Sequence, residues 1–221
     1  MCIFAMQSYT FISIIDNFVT DMSDFFRTIQ AESRGLYKEK MSKFISFAVP
    51  VVTADQARAV VKRIANEYHD ARHCCWAYMI GTARNKYLSS DNGEPSGTAG
   101  KPILGQINSY GLTNVVIVVV RYFGGIKLGT SGLIGAYREA ARQAIASAVI
   151  VECHEQARVT FNFPYLSMND VMKIVKADEK IHVIDQKFDN DCLMTLETDA
   201  DRLPPLKQRL LDVTGLAVIS G

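Results

Sequence analysis

The residues with the greatest chemical potential lie in two glycine-rich stretches and one histidine–cysteine cluster. The later stretch is Arg121-Tyr122-Phe123-Gly124-Gly125-Ile126-Lys127-Leu128-Gly129-Thr130-Ser131-Gly132. It follows six consecutive apolar residues, Val115 to Val120, and precedes a long amphipathic pattern. A buried strand is therefore expected to run through a glycine turn into a helix. Such a turn leaves backbone N–H groups unpaired at the helix start, here beside Arg121 and Lys127, which makes a seat for phosphate or another anion. Gly124 and Gly129 have the spacing of a Walker A loop, but Thr130 stands where the essential lysine belongs, so triphosphate binding by that mechanism is not expected. The dinucleotide spacing G-x-G-x-x-G also fails. The competing reading is a turn whose glycines simply admit positive φ.

The earlier stretch is Asp91-Asn92-Gly93-Glu94-Pro95-Ser96-Gly97-Thr98-Ala99-Gly100-Lys101-Pro102. Asp91 and Glu94 could hold a metal or act as acid and base. Ser96 or Thr98 could cap the helix that follows, and Gly97 and Gly100 would let a ligand approach the backbone. The structural alternative is a tight loop whose carboxylates cap turns and helix ends. In His69-Asp70-Ala71-Arg72-His73-Cys74-Cys75-Trp76 the residue types suggest zinc. However, His73 falls where a helix gives way to a strand, and Cys74 and Cys75 should point to opposite strand faces, so no metal is expected. The candidate catalytic residues are His73, Asp91 and Glu94. The candidate anion- or nucleic-acid-binding residues are Ser96, Thr98, Lys101, Arg121, Gly124, Gly125, Lys127, Gly129, Thr130 and Ser131, with Lys38, Lys40 and Lys43 as additional contacts. No cofactor is expected.

These groups need a scaffold. Phe25–Gln30, Tyr37–Val49 (interrupted near Met41) and His73–Ile80 read as strands, and Thr53 caps a helix with Val60, Val61, Ile64, Ala65 and Tyr68 on one face. Residues 91–102 read as a loop, with helical spacing from Ile103 to Tyr110. Val115–Val120 has no polar face and should be a central strand covered on both sides. Leu133, Ile134, Tyr137, Ala140, Ala141, Ala144, Ile145 and Ala148 make one helical stripe whose alanines suit close packing. Beyond Ile150 the order is strand (157–163), helix (166–175), two strands (181–188 and 192–196) around an Asp189-Asn190-Asp191 turn, helix (203–213) and strand (216–219). That is the split βαββαβ, ferredoxin-like plan.

The chain has 221 residues, enough for one large domain or two small ones, and its five cysteines include no C-x-x-C pair, as expected of thiols in a reducing cytoplasm. No apolar run is long enough to span a membrane. The net charge of +1 conceals an asymmetry. Residues 22–149 carry 16 Lys and Arg against 9 Asp and Glu, +7; residues 150–221 carry 8 against 12, −4; residues 1–21 add −2. A basic part joined to an acidic part suits contact with nucleic acid or the ribosome. Residues 1–21 are apolar and aromatic with no basic n-region, and are expected to be a non-native or disordered extension before a start at Met22.

Taken together the motifs resemble the YigZ/IMPACT family. The resemblance is carried by Tyr37-Lys38-Glu39-Lys40 with Ser42-Lys43-Phe44, by Ala71-Arg72-His73 through Cys75-Trp76-Ala77-Tyr78, by residues 91–100, and above all by residues 121–129. It covers the chain from about Phe25 onward, with one departure, Cys74 in place of a histidine. It implies an α+β protein: a first domain (22–149) similar to elongation factor G domain IV, and a ferredoxin-like second domain (150–221). It also implies a link to translation, nucleic acid as the partner of bacterial members, and no firmly attached enzymatic activity. The function expected is that of a cytoplasmic, translation-associated protein that binds RNA or the ribosome through its basic domain, with a protein partner for the acidic one. Two alternatives stand beside it: an enzyme acting on a phosphorylated or carboxylated small molecule at the two loops, and a protein-interaction module.

Overall fold

The computed structural model describes residues 25–188 and 191–215 of the chain. Its centre is a five-stranded sheet built from β2 (Ser33–Glu39), β3 (Ser42–Pro50), β4 (His73–Ile80), β5 (Lys86–Ser90) and β6 (Val115–Tyr122), in the order β2-β3-β6-β4-β5. Every neighbouring pair is antiparallel. β6 is the middle strand, and its alternation serves two cores. Val115, Ile117 and Val119 face the layer of α2 (Gly100–Ser109) and α3 (Gly129–Ala146). Val116, Val118 and Val120 face α1 (Ala54–Glu67). Six fully buried branched residues in one strand supply about 1.5–3 kcal/mol each.

Local chemistry sets the element ends. Thr53 caps α1 as expected, its Oγ1 accepting from the Gln56 N–H at 3.2 Å. α3 packs close to the sheet because Ala136, Ala140, Ala141 and Ala144 face it. The gap is narrow enough that Ser33 Oγ donates to Ala144 O and Ser46 Oγ to Ala140 O, both at 2.7 Å.

Outside this sheet, β1 (Phe25–Ile29) pairs with β7 (Ile150–His154), from Phe25↔His154 to Ile29↔Ile150. The later part of the chain has its own core. Here β8 (Gln156–Pro164), β9 (His182–Lys187) and β10 (Asp191–Asp199) form an antiparallel sheet in the order β8-β10-β9, covered by α4 (Met168–Lys176) and α5 (Leu203–Thr214). Pro204 and Pro205 sit in the first turn of α5 and Gly215 closes it at φ 64°. The result is a mixed α/β fold of two domains.

Several elements depart from the sequence reading. The interrupted strand is two strands, β2 and β3, joined by Lys40 and Met41 in the left-handed region at φ 43° and 65°. β5 and β7 were not anticipated: β5 is a short, largely exposed strand and β7 pairs only with distant β1, so neither leaves a long apolar signature. α2 begins at Gly100, inside the stretch read as loop, with Pro102 in its first turn. The expected extension at 1–21, the turn at 189–190 and the last strand at 216–219 lie outside the described residues. No helix among the described residues is long and apolar enough to cross a membrane.

Candidate functional site

The earlier glycine-rich loop is folded around Asp91. Its Oδ1 accepts the N–H groups of Ala99 (2.9 Å) and Gly100 (2.8 Å), and its Oδ2 accepts that of Gly97 (2.8 Å). A carboxylate eight and nine residues upstream thus satisfies the start of α2. This corrects the expectation for Ser96 and Thr98: α2 has no cap from an adjoining side chain, and Thr98 Oγ1 donates instead to Pro95 O at 2.6 Å. Burial pushes Asp91 toward protonation, but the N–H donors of Gly97, Gly100 and Ala99 and the charge of Lys101 outweigh it and hold the carboxyl below its ordinary value. With both oxygens engaged, Asp91 is a structural group, not a ready base.

Glu94 is committed in a different way. Arg121, at the end of β6, donates from Nη1 to Glu94 Oε1 at 2.6 Å, with the two side chains 6% and 4% exposed. Tyr137 of α3 donates its hydroxyl to the same oxygen at 2.9 Å. Cys75 of β4 reaches Tyr137 Oη at 3.3 Å and the Asp91 carbonyl at 2.9 Å, so the network joins both loops, the sheet and α3. Burial drives the Cys75 thiol up to about 12, and burial followed by the proximity of Cys75 and Glu94 keeps the Tyr137 phenol protonated far above neutral pH. The Arg121 guanidinium lies between the rings of Phe44 and Phe123, 5.5 Å from each centroid, while its buried Nε has no acceptor among the described residues.

His73 is the register partner of Arg121 on the neighbouring strand. Its Nδ1 bonds the Asn92 carbonyl at 3.0 Å, and since a carbonyl only accepts, Nδ1 carries the proton. Its Nε2 lies 4.0 Å from Glu94 Oε1. Of the three catalytic candidates, His73 and Glu94 line the same cavity and Asp91 does not. Cys74 and Cys75 do point to opposite sheet faces, each buried in a different core.

The later loop owes its glycines to two separate demands. A Cβ on Gly124 would run into the backbone of Met41 and Ser42 in the β2–β3 turn, and its N–H donates to Ser42 Oγ at 3.2 Å. Gly125 and Gly129 adopt φ 88° and 73°, where side chains are disfavoured. α3 then starts with no side-chain cap and no acidic residue in its first turn.

The two loops meet across a cavity of about 710 Å³. Asn92, Gly93, Glu94 and Pro95 form one wall, and Lys127, Leu128, Gly129 and Thr130 the other; Arg72, His73, Arg121, Phe123 and Leu133 complete it. Lys101 belongs elsewhere, which corrects its grouping with Arg121. It lines a separate depression of about 390 Å³ with Gly97, Pro102, Gly105, Gln106, Ile134 and Arg138. Gly124, Gly125, Ser96, Thr98 and Ser131 do not line the main cavity. Arg121 lines it, but as the buried half of an ion pair rather than an exposed contact. Arg72, Phe123 and the Tyr137 hydroxyl were missed as site groups. For Arg72 and Phe123 a signal existed: each adjoins a chosen residue, His73 and Gly124, just outside the ends of the paired strands β4 and β6.

The sequence model of the Impact N-terminal domain matches residues 40–145, which hold both loops and the whole cavity wall. The IMPACT family member YigZ of Escherichia coli (strain K12) is 32% identical over 176 residues, covering 78% of this chain and 85% of that protein. An IMPACT family member of Haemophilus influenzae is 43% identical over 108 residues, 48% of this chain and 52% of its own length. A crystal structure of a hypothetical protein superposes with a TM-score of 0.67 at 27% identity, covering 88% of this chain and 95% of that one. The described fold is thus shared along most of the chain, and the sequence likeness spans both glycine loops: the chain belongs to the IMPACT family.

Proposed function

We propose that this chain is a translation-associated regulatory protein that binds RNA or the ribosome through its basic first domain and has no chemistry of its own. The observation that carries this is the distribution of charge around the cavity. Arg72 and Lys127 are exposed on its rim, and neither is ion-paired among the described residues. A second set continues along the sheet end. Lys38 faces Lys43 across β2 and β3, and Lys43 faces Tyr122 across β3 and β6. Like charges directly opposite each other cost stability, and neither lysine forms an ion pair among the described residues. An external polyanion would supply the missing countercharge.

The same reading takes in the finer features of the fold. The first domain would resemble elongation factor G domain IV, and the β8-β10-β9 order supports a ferredoxin-like second domain. That domain, acidic by composition, would orient the first or engage a protein partner in the cytoplasm. Retention of structured RNA by the full chain, measured across a salt series, tests the proposal: affinity should fall steeply as salt rises. Absence of binding at low salt, or binding indifferent to salt, overturns it.

A second reading, an enzyme acting on a phosphorylated or carboxylated small molecule, is favoured by one observation only. His73 presents Nε2 beside the buried Glu94–Arg121 pair at the cavity wall. A turnover that is lost in His73→Ala and retained in Asp91→Asn would establish it.

A further inference from the structure

We infer that the cavity accepts one nucleoside monophosphate unit, with its phosphate at the first turn of α3 beside Lys127 and its base against Phe123. The inference rests on the RNA-binding reading only for where the unit comes from, since a free nucleoside monophosphate and the 5′-phosphorylated end of an RNA strand present the same phosphate monoester.

The phosphate seat follows from three features. α3 is 18 residues long, and its N-terminal N–H groups receive neither a side-chain cap nor an acidic residue. α1 and α2 differ: Thr53 caps one, and the Asp91 carboxylate fills the other. Lining the same cavity as that start, Arg121 is a buried cation with Glu94 on Nη1 and no partner for Nε among the described residues. Arg72, Arg121 and Lys127 set against Glu94 leave the wall two positive charges in excess. A phosphate monoester carries about −1.5 to −2 at pH 7, so the charges match.

The base seat follows from Phe123. Its ring is 47% exposed in the cavity wall and is held from behind by the Arg121 guanidinium, itself backed by Phe44. Pro95, Leu128 and Leu133 give the cavity an apolar side. A volume of about 710 Å³ lies within the range of small-ligand sites and suits a single nucleotide rather than a duplex. A metal-chelated triphosphate fits poorly, because Asp91 and Glu94, the carboxylates of this loop, are already engaged by N–H groups, Arg121 and Tyr137.

The test titrates the full chain with adenosine 5′-monophosphate, adenosine and inorganic phosphate by isothermal calorimetry, with single-stranded RNA as a parallel arm. The wild type should bind the monophosphate, bind phosphate more weakly, and ignore adenosine. Phe123→Ala should weaken the monophosphate about tenfold and leave phosphate unchanged. Thr130→Asp places a carboxylate in the first turn of α3; it should abolish binding of both while the melting temperature holds or rises. RNA binding without any monophosphate binding overturns this inference and leaves the RNA reading standing. Monophosphate binding that follows this variant pattern without RNA binding does the reverse. Monophosphate binding indifferent to both substitutions places the ligand elsewhere and also overturns the inference.

Discussion

Arg121 Nη1 and Glu94 Oε1, 27 residues apart in sequence, meet 2.6 Å apart beneath the junction of the two loops. The pair fixes the end of β6 to the earlier loop, and Tyr137 fixes the same oxygen to α3. Removing the carboxylate strands a buried guanidinium. Glu94→Ala should therefore cost about 3–5 kcal/mol in urea unfolding. Replacing both partners at once, Glu94→Leu with Arg121→Met, should cost less than Glu94→Ala alone. Equal stability of wild type and Glu94→Ala would mean the pair is not buried as described.

Gly124 and Gly125 are neighbours with different constraints, and substitution separates them. Gly124→Ala drives a methyl into the Met41 and Ser42 backbone and should cost about 3 kcal/mol or more. Gly125→Ala has open space around it and faces only the penalty of its positive φ, about 1–2 kcal/mol. Thermal unfolding of the two variants should show the larger loss at Gly124.

These two cases also show what the sequence could and could not reveal. That a glycine-rich turn links a buried strand to a helix was legible, because Val115–Val120 lacks a polar face and the alanine stripe of α3 has helical spacing. That Gly124 is needed for close approach to another turn was not, because its neighbour lies 83 residues earlier. That a carboxylate of the earlier loop caps a helix end was legible as the structural alternative, but that Asp91 does so was not, because rules for capping look at the residues adjoining a helix and Asp91 reaches the helix start from eight and nine residues upstream. Lys101 was grouped with Arg121 by composition, although sequence does not determine on which side of α2 a first-turn lysine leaves. Tyr137 was rightly placed in an apolar stripe, and its hydroxyl went unnoticed because aromatic periodicity says nothing of where the polar tip ends.

Asp91 supplies a pH test. Its folded pKa lies below the unfolded value, so its contribution is complete above about pH 4 and is lost as pH falls through the folded value. Asp91→Asn should cost about 1–2 kcal/mol near neutral pH, and the gap from wild type should narrow as pH falls below about 4. A gap that is constant or widens on acidification would remove the capping role.

The central claim, that the cavity rim at the loop junction is where a nucleic acid is held, is tested most directly by the salt dependence of single-stranded RNA binding in wild type and in Arg72→Ala/Lys127→Ala. Each lost phosphate contact should reduce the slope of log K against log salt by about 0.7, so the double variant should bind more weakly and with a slope shallower by about 1.4. Identical slopes and affinities in the two proteins would contradict the claim.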